Sequence, residues 1–219
     1  MCFSAVASFS AGAVLTVAGI ITTQLATSKA QLPFAAIPFL FGLQQFSEGF
    51  VWLSLTHTQY AHWQQAATYT FLFFAHVLWP VWIPFSALLF EQMQPQKNII
   101  FAFFLLGFAL AMGEIFCLTS YHTEARIYGH HIEYLVTYPV AFITISKVVY
   151  GITTLISCFI CSYKKMRWFA GVLAISLMLT NIFYKAWLIS VWCFFAALLS
   201  IVIYYILFQQ NKRRIAIIV

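Results

Sequence analysis

Residues 99–120 read IIFAFFLLGFALAMGEIFCLTS and contain a single charged side chain, Glu114. A helix rises about 1.5 Å per residue, so such a run matches the roughly 30 Å hydrocarbon core of a bilayer. Similar runs recur along the chain, which is 63% hydrophobic and 7% charged, with a mean hydropathy of +0.90. Too few polar residues remain to coat a soluble surface. The sequence therefore predicts an all-α, polytopic integral membrane protein whose first partner is the lipid bilayer.

The apolar runs predict seven transmembrane helices in one bundle, a single domain over residues 1–219. The last apolar block would exceed about 60 Å as one helix, so we expect it to fold back between Asn181 and Lys185. The predicted spans are 4–26, 33–56, 66–90, 99–120, 134–161, 167–184 and 187–208. Residues 209–219 then form a basic tail.

The basic residues of the connecting segments predict the orientation of the bundle. With seven spans, one side carries Lys29, Lys97, Lys164, Lys165, Arg167, Lys212, Arg213 and Arg214. The other side carries only Arg126 and Lys185. Basic residues are enriched in cytoplasmic loops, so we expect the N-terminus outside and the C-terminus in the cytoplasm. The net charge of +6 lies in these loops without a basic stripe and interleaved aromatic residues, so a nucleic-acid partner is not expected.

Ionisable side chains inside the predicted spans mark the candidate site. Glu48, Glu114 and Lys147 each interrupt an apolar stretch, where an unpaired charge costs several kcal/mol. His76 lies in the third span, and Asn181 lies near the end of the sixth. Because polar faces on separate helices find no partner in lipid, we expect these residues to converge in one outward-opening pocket. The same face of the second span, at helical spacing, carries Gln44, Gln45, Glu48 and Trp52.

Three interpretations of this polar set remain open. In the first, Glu48 and Glu114 accept a cation or a proton, Lys147 is their counter-charge and His76 titrates. Neutral hydrogen bonds to the ligand would come from Gln44, Gln45 and Asn181. In the second, a salt bridge from Glu48 or Glu114 to Lys147 only fixes the packing of the helices. In the third, these residues have separate and unrelated roles.

Proline and small residues predict two structural features of the spans. Pro80 has no N–H to donate to the carbonyl of His76, and Pro84 has none to donate to the carbonyl of Pro80. A kink is therefore expected beside His76. In the first span, a stripe of small residues predicts close helix packing. It consists of Ser8, Gly12, Thr16 and Gly19.

The connection after the fourth span is rich in metal-ligating side chains. Imidazole and carboxylate groups suit a divalent metal, although no established zinc motif is present. The candidate ligands are His122, His130, His131 and Glu133, and the alternative is a solvated polar loop. Cys2 and Cys117 should lie near the same face, where a disulfide between them is one option. Cys158 and Cys161 form a CxxC inside an apolar helix, which favours packing over redox chemistry.

Four segments of the chain resemble a bacterial family of small multi-pass membrane proteins of unknown function, which open with an MCFSAxASF-type N-terminus. They are MCFSAVASFSAG at 1–12, GLQQFSEGFVW at 42–52, Trp79-Pro80 with Pro84, and HIEY at 131–134. The likeness spans roughly the first two thirds of the chain. It implies a multi-pass protein of the bacterial inner membrane and assigns no catalytic residue.

The function expected from these observations is binding, and in one version transport, of a small polar or ionic ligand in an outward-facing pocket. The first alternative is a membrane-embedded enzyme, in one form metal-dependent, that acts on a lipid or periplasmic substrate with a glutamate as acid and base. No GxSxG or P-loop motif supports such an enzyme. The second alternative is a non-catalytic sensor or assembly protein.

Overall fold

The computed structural model of the protein describes residues 4–129, 131–183 and 198–211. The described residues are mostly helical. The first half of the chain forms α1 (Ala5–Leu25), the short α2 (Leu32–Ala35), α3 (Ile37–Thr56), α4 (Gln64–Leu72) and α5 (Trp79–Phe90). The second half forms α6 (Gln94–Ser120), α7 (Val140–Gly151), α8 (Ser157–Ile160), α9 (Lys164–Phe183) and α10 (Leu198–Asn211). Between α6 and α7 lie two strands, β1 (Thr123–Tyr128) and β2 (His131–Val136).

Four of the described helices are long and apolar enough to cross a membrane. They are Ala5–Leu25, Thr58–Phe90, Gln94–Ser120 and Val140–Ile160. The helix α3 has the length and nearly the bounds predicted for the second span, but Gln44, Gln45 and Glu48 lower its apolar character. Residues 184–197 lie outside the described residues, and with them lie Lys185 and most of the predicted turn after Asn181.

Glycine residues bring α1 and α3 into close contact. A Cβ atom built on Gly19 would lie 2.4 Å from the backbone nitrogen of Phe39, and one built on Gly42 would lie 2.6 Å from Oγ1 of Thr16. A side chain at position 19 would need a shift of the Phe39 backbone, and one at position 42 would displace the side chain of Thr16. The close packing predicted for the small-residue stripe of the first span is confirmed.

The Thr58–Phe90 helix changes its hydrogen-bond pattern in the middle. It begins as a 3₁₀ turn, continues as α4, becomes a π-helix over Phe73–Leu78 and ends as α5. Pro80 cannot donate to the carbonyl of His76, whereas the i+5 pattern of a π-helix offers the N–H of Val81 instead. The irregularity expected beside His76 therefore takes the form of a π segment.

The connection after α6 is a β-hairpin, which corrects the prediction of an all-helical chain and of a fifth span starting at residue 134. The strands β1 and β2 pair antiparallel, with Thr123 opposite Val136 and Tyr128 opposite His131. The turn has Gly129 at φ +62°, a left-handed conformation that glycine adopts at little cost. The helix α7 begins only at Val140, directly after Pro139.

The two ends of the bundle carry separate apolar clusters. One cluster joins Phe34, Trp79, Ile100, Phe169 and Ile203, and we call this end of the bundle the Glu91 end. The other cluster packs helices against the strands, and we call this end the hairpin end. Its members include Val51, Phe71, Ala111, Ile132 and Tyr134. The polar residues of α3 lie between Phe41 of the first cluster and Val51 of the second.

Candidate functional site

The helix α3 carries a row of fully covered polar side chains, as its sequence predicts. Gln44 and Glu48 have no exposed surface, and Gln45 and Trp52 are also buried. Because α1 and α4 both pack on α3, its polar positions cannot reach water. The carboxylate of Glu48 accepts a hydrogen bond from Nε2 of Gln45 at 3.4 Å. We call Gln44, Gln45 and Glu48 the α3 polar row.

A hydrogen bond ties the α3 polar row to the Thr58–Phe90 helix. Nε1 of Trp79 donates to Oε1 of Gln44 at 2.8 Å, and the Trp79 ring stacks on Phe41 with 4.0 Å between the ring centroids. This pair fixes the relative heights of two antiparallel helices. From the helical rise per residue, Glu48 lies about 6 Å nearer the hairpin end than Gln44, and His76 lies about 4.5 Å nearer that end than Trp79. Glu48 and His76 therefore lie at nearly the same depth in the bundle.

His76 and Glu114 form a direct pair between the π segment and α6. Nδ1 of His76 lies 3.2 Å from Oε2 of Glu114, and the carboxylate side chain is only 3% exposed. Helical side chains lean toward the N-terminus of their own helix, so on antiparallel helices these two lean toward each other. The structure thus brings together two side chains that are 38 positions apart in the sequence.

Lys147 and Asn181 differ from the buried Glu114 in their exposure to the surroundings. Both side chains are exposed, and within the described parts of the chain Lys147 makes no salt bridge. Glu114 has histidine as its partner, in place of the lysine that the stapling interpretation requires. Within the helices, two buried carboxylates therefore remain, Glu48 and Glu114, with the half-buried imidazole of His76 beside Glu114.

Such a set has a clear electrostatic preference. Two carboxylates in a medium of low dielectric constant are unfavourable as a pair of bare charges. They become favourable when they take up protons or surround a cation, and a protonated His76 would neutralise one of them. Carboxylate oxygens in such surroundings suit a small cation better than an anion.

The hairpin end contains a second group of buried polar atoms. Nε1 of Trp52 and Oγ1 of Thr68 are buried and have no hydrogen-bond partner among the described residues. The buried hydroxyl groups of Thr123 and Tyr138 lie within hydrogen-bond reach of each other. The sequence singled out only Trp52 of these four. The other three look like ordinary polar residues until the hairpin is folded against the helices.

The candidate metal ligands of the hairpin do not form a cluster within the described part of the chain. His122 is exposed and His131 is buried, and no group of three metal-binding side chains occurs among the described residues. Oε2 of Glu133 accepts a hydrogen bond from Nε of Arg126 at 2.7 Å. His130 lies outside the described residues, so the proposed metal stays a prediction.

The cysteines that are described all carry buried, free thiols. Cys158 and Cys161 belong to the apolar cluster of the Glu91 end, which agrees with a packing role. Burial raises the pKa of Cys161 to about 12, so this thiol is unreactive at neutral pH. Cys117 is free, and Cys2, its predicted disulfide partner, lies outside the described residues.

Glu91, to which the sequence assigns no role, accepts four hydrogen bonds through its carboxylate. Oε1 accepts from the backbone nitrogens of Gln92 and Met93 at 2.8 and 2.7 Å and from Oγ of Ser162 at 2.6 Å, and Oε2 accepts from the nitrogen of Ser162. Burial alone would raise the pKa of Glu91, but these hydrogen bonds outweigh it and lower the pKa to about 2. Glu91 therefore joins the turn after α5 to the turn before α9.

Together these features define a mostly helical protein with four helices suited to cross a membrane, two of which are joined by the contact between His76 and the buried carboxylate of Glu114. The chain belongs to the Family of unknown function (DUF6629), whose model matches residues 1–217. No protein with a curated description matches the chain, and no solved structure does.

Proposed function

We propose that this is a seven-helix multi-pass protein of the bacterial inner membrane that binds a small cationic ligand between its helices. The N-terminus lies outside, and the basic tail at 209–219 lies in the cytoplasm. Transport of the bound cation is the role that such a bundle would serve. The single observation that carries the proposal is the pair of half-buried His76 and buried Glu114 at the depth of the fully covered Glu48.

The distribution of basic residues supports this orientation. Lys29, Lys97 and Lys164 lie in or beside connections at the Glu91 end, whereas Arg126 lies at the hairpin end. Nε2 of Gln31 lies 3.2 Å from Oε1 of Gln210, so the last residues of α10 reach the Glu91 end as well. Loops rich in lysine and arginine face the cytoplasm in membrane proteins.

The charge balance of the buried set supports a cation as the ligand. Glu48 and Glu114 supply carboxylate oxygens, and Gln44 and Gln45 add neutral amide groups beside Glu48. Lys147 is exposed and makes no salt bridge to either carboxylate in the described part of the chain. A bound cation would take the place of one or more protons on these carboxylates.

The test is thermal unfolding of the purified protein in lipid nanodiscs with sodium, potassium, methylammonium or magnesium chloride. N-methylglucamine chloride at equal ionic strength, whose cation is too bulky for the site, serves as the control salt. A specific cation at 100 times its Kd should add about 2.7 kcal/mol to the free energy of unfolding. The gain should disappear in Glu48→Gln and in Glu114→Gln.

Glu124→Gln is the matched control, because it makes the same chemical change on an exposed position of β1. It should keep the full response. The proposal is wrong if none of the cations stabilises the protein more than N-methylglucamine does. It is also wrong if the two buried variants unfold at a lower temperature yet respond to cations as the wild type does.

A further inference from the structure

We infer that the Glu91 end of the bundle binds an anionic phospholipid, whose phosphate lies at Lys164 and Arg167 and whose acyl chains lie along the outer face of α9. This surface is separate from the cation site. It rests on the proposed function only in that α9 must cross the membrane with its first turn at the cytoplasmic side.

The helix α9 has one buried face and one exposed apolar face. The buried face contributes Met166, Phe169 and Leu173 to the apolar cluster of the Glu91 end. The exposed face carries large apolar side chains at the spacing of one side of a helix. They are Trp168, Val172, Ile175, Leu179 and Ile182. A continuous exposed stripe of this kind, about 21 Å long, is suited to contact with lipid acyl chains.

Basic side chains lie where this stripe ends. Lys164 comes one turn before Trp168 on the same face, Arg167 directly precedes Trp168, and both basic side chains are exposed. Trp168 is 75% exposed. Exposed tryptophan is enriched at the level of the lipid headgroups, and long basic side chains keep their charged ends at that level. A phosphate bound by Lys164 and Arg167 would therefore have its acyl chains beside the stripe.

The acidic residues of the chain do not neutralise this basic pair. The chain has five acidic residues, all within its described part, and only Glu91 lies at this end. Glu91 is 2% exposed, and its carboxylate already accepts four hydrogen bonds. Among the described residues, neither Lys164 nor Arg167 forms a salt bridge. The surface therefore presents a positive charge that an anionic partner would complement.

The helix α10 adds a second aromatic ring near this level. Nζ of Lys165 donates to Oε1 of Gln209 at 2.8 Å and lies 5.5 Å from the centroid of the Tyr205 ring. These contacts place the exposed ring of Tyr205 within about one helical turn of the level of Trp168. Exposed aromatic rings near one level on two helices are typical of the boundary between lipid headgroups and acyl chains.

An anionic phospholipid complements both parts of this surface. Its phosphate matches the charge of Lys164 and Arg167, and its acyl chains match the apolar stripe that begins at Trp168. A free phosphate ester would match only the basic pair, and a zwitterionic lipid has no net charge to offer it. Basic residues at the cytoplasmic end of a transmembrane helix attract anionic headgroups.

The experiment is native mass spectrometry of the full chain in a maltoside detergent during titration with phosphatidylglycerol, which resolves each bound lipid. The wild type should bind the first phosphatidylglycerol more tightly than it binds phosphatidylcholine. Lys164→Gln and Arg167→Gln should each weaken this binding about 5-fold, and the two together about 25-fold, which is the contribution expected of basic side chains near a membrane surface. Both positions are exposed, so these variants should fold as the wild type does.

Lys29→Gln is the matched control, because it removes an exposed basic side chain at the same end of the bundle but outside α9. It should leave the binding unchanged. An equal loss in this variant would overturn the site, since the attraction would then be diffuse. Equal wild-type affinity for phosphatidylcholine would overturn it too. Glycerol 3-phosphate carries the charged group without acyl chains, and its competing as well as the lipid does would show that the ligand is a soluble phosphate ester.

The combined Lys164→Gln and Arg167→Gln variant also separates this surface from the cation site. It should lose lipid binding and keep the wild-type stabilisation by cations. Wild-type lipid affinity in this variant would overturn the lipid surface and leave the cation site standing. Lipid binding that is lost as expected, in a protein that no cation stabilises, would support the lipid surface and contradict the cation site alone.

Discussion

Gly107 of α6 lies directly against the carbonyl oxygen of Pro80. A Cβ atom built on Gly107 would lie 1.9 Å from that oxygen, much closer than any real contact. The oxygen has no helical donor, because the residue four positions on is Pro84. The close approach of α6 at this point sets the height at which Glu114, two turns further along α6, meets His76.

Gly107→Ala should therefore destabilise the protein and disturb the His76–Glu114 pair. Overpacking of this kind costs about 1–3 kcal/mol in the free energy of unfolding, because the obstacle is backbone and cannot rotate away. The measurement is chemical unfolding in detergent. Gly171→Ala is the control, since a Cβ there meets nothing within 4 Å and alanine favours the helix. Equal stability of the two variants would contradict the assigned contact.

The His76–Glu114 pair should show energetic coupling in a double-mutant cycle. His76→Phe and Glu114→Gln should each destabilise the protein, and the double variant should lose less than the sum. For a hydrogen bond between helices in a membrane, we expect a coupling energy of about 0.6–1.7 kcal/mol. The comparison cycle uses Arg126 and Glu133, an exposed pair whose coupling should fall with salt. Strict additivity at His76 and Glu114 would show that their contact carries no energy.

The apolar runs of the sequence predict most of the described helices well. The first, second and fourth spans, expected at 4–26, 33–56 and 99–120, correspond to α1, α3 and α6. The hairpin was missed because the run from Tyr134 to Val136 is equally apolar as a strand or as the start of a helix. The strand conformation is favoured only by the pairing of β2 with β1. The sequence of β2 alone does not reveal that pairing.

Features of the candidate site that depend on the face of a single helix could be predicted from the sequence. Contacts between side chains of two helices could not. The burial of Gln44, Gln45 and Glu48 follows from their shared face on α3. The choice of His76 over Lys147 as the partner of Glu114 depends on which helices are neighbours. The role of Glu91 could not be predicted for the same reason. Two of the hydrogen bonds to its carboxylate come from Ser162, which lies 71 positions away in the sequence.

The conformation of Gly129 should determine how well the hairpin forms. A Cβ there meets nothing within 4 Å, so the only cost of a substitution is the positive φ of +62°. Gly129→Asn should be nearly neutral, whereas Gly129→Val should cost about 1–2 kcal/mol, because asparagine tolerates this region and a β-branched residue does not. Hydrogen exchange of the β1 and β2 amides measures the difference. Equal protection in both variants would mean that the turn has another conformation.

Glu91 should make the stability of the protein depend on pH in the acid range. Its pKa is about 2 in the folded protein, below its ordinary value of 4.5, so the folded state binds the proton less tightly than the unfolded state. The carboxylate therefore stabilises the fold fully above about pH 4.5, and this contribution is lost as the pH falls toward 2.

Glu91→Gln should remove this part of the pH dependence and lower stability at neutral pH. The amide offers only one acceptor oxygen, so its NH₂ group would face a donor of Ser162 or of the following turn. Such a mismatch costs about 1–3 kcal/mol. The measurement is the free energy of unfolding of wild type and variant from pH 7 to pH 2, and their difference should shrink across the acid range. Ser162→Ala removes one donor and leaves the carboxylate, so it should retain most of the pH dependence. A difference that stays constant with pH would show that Glu91 titrates normally and that its hydrogen bonds do not favour the charged form.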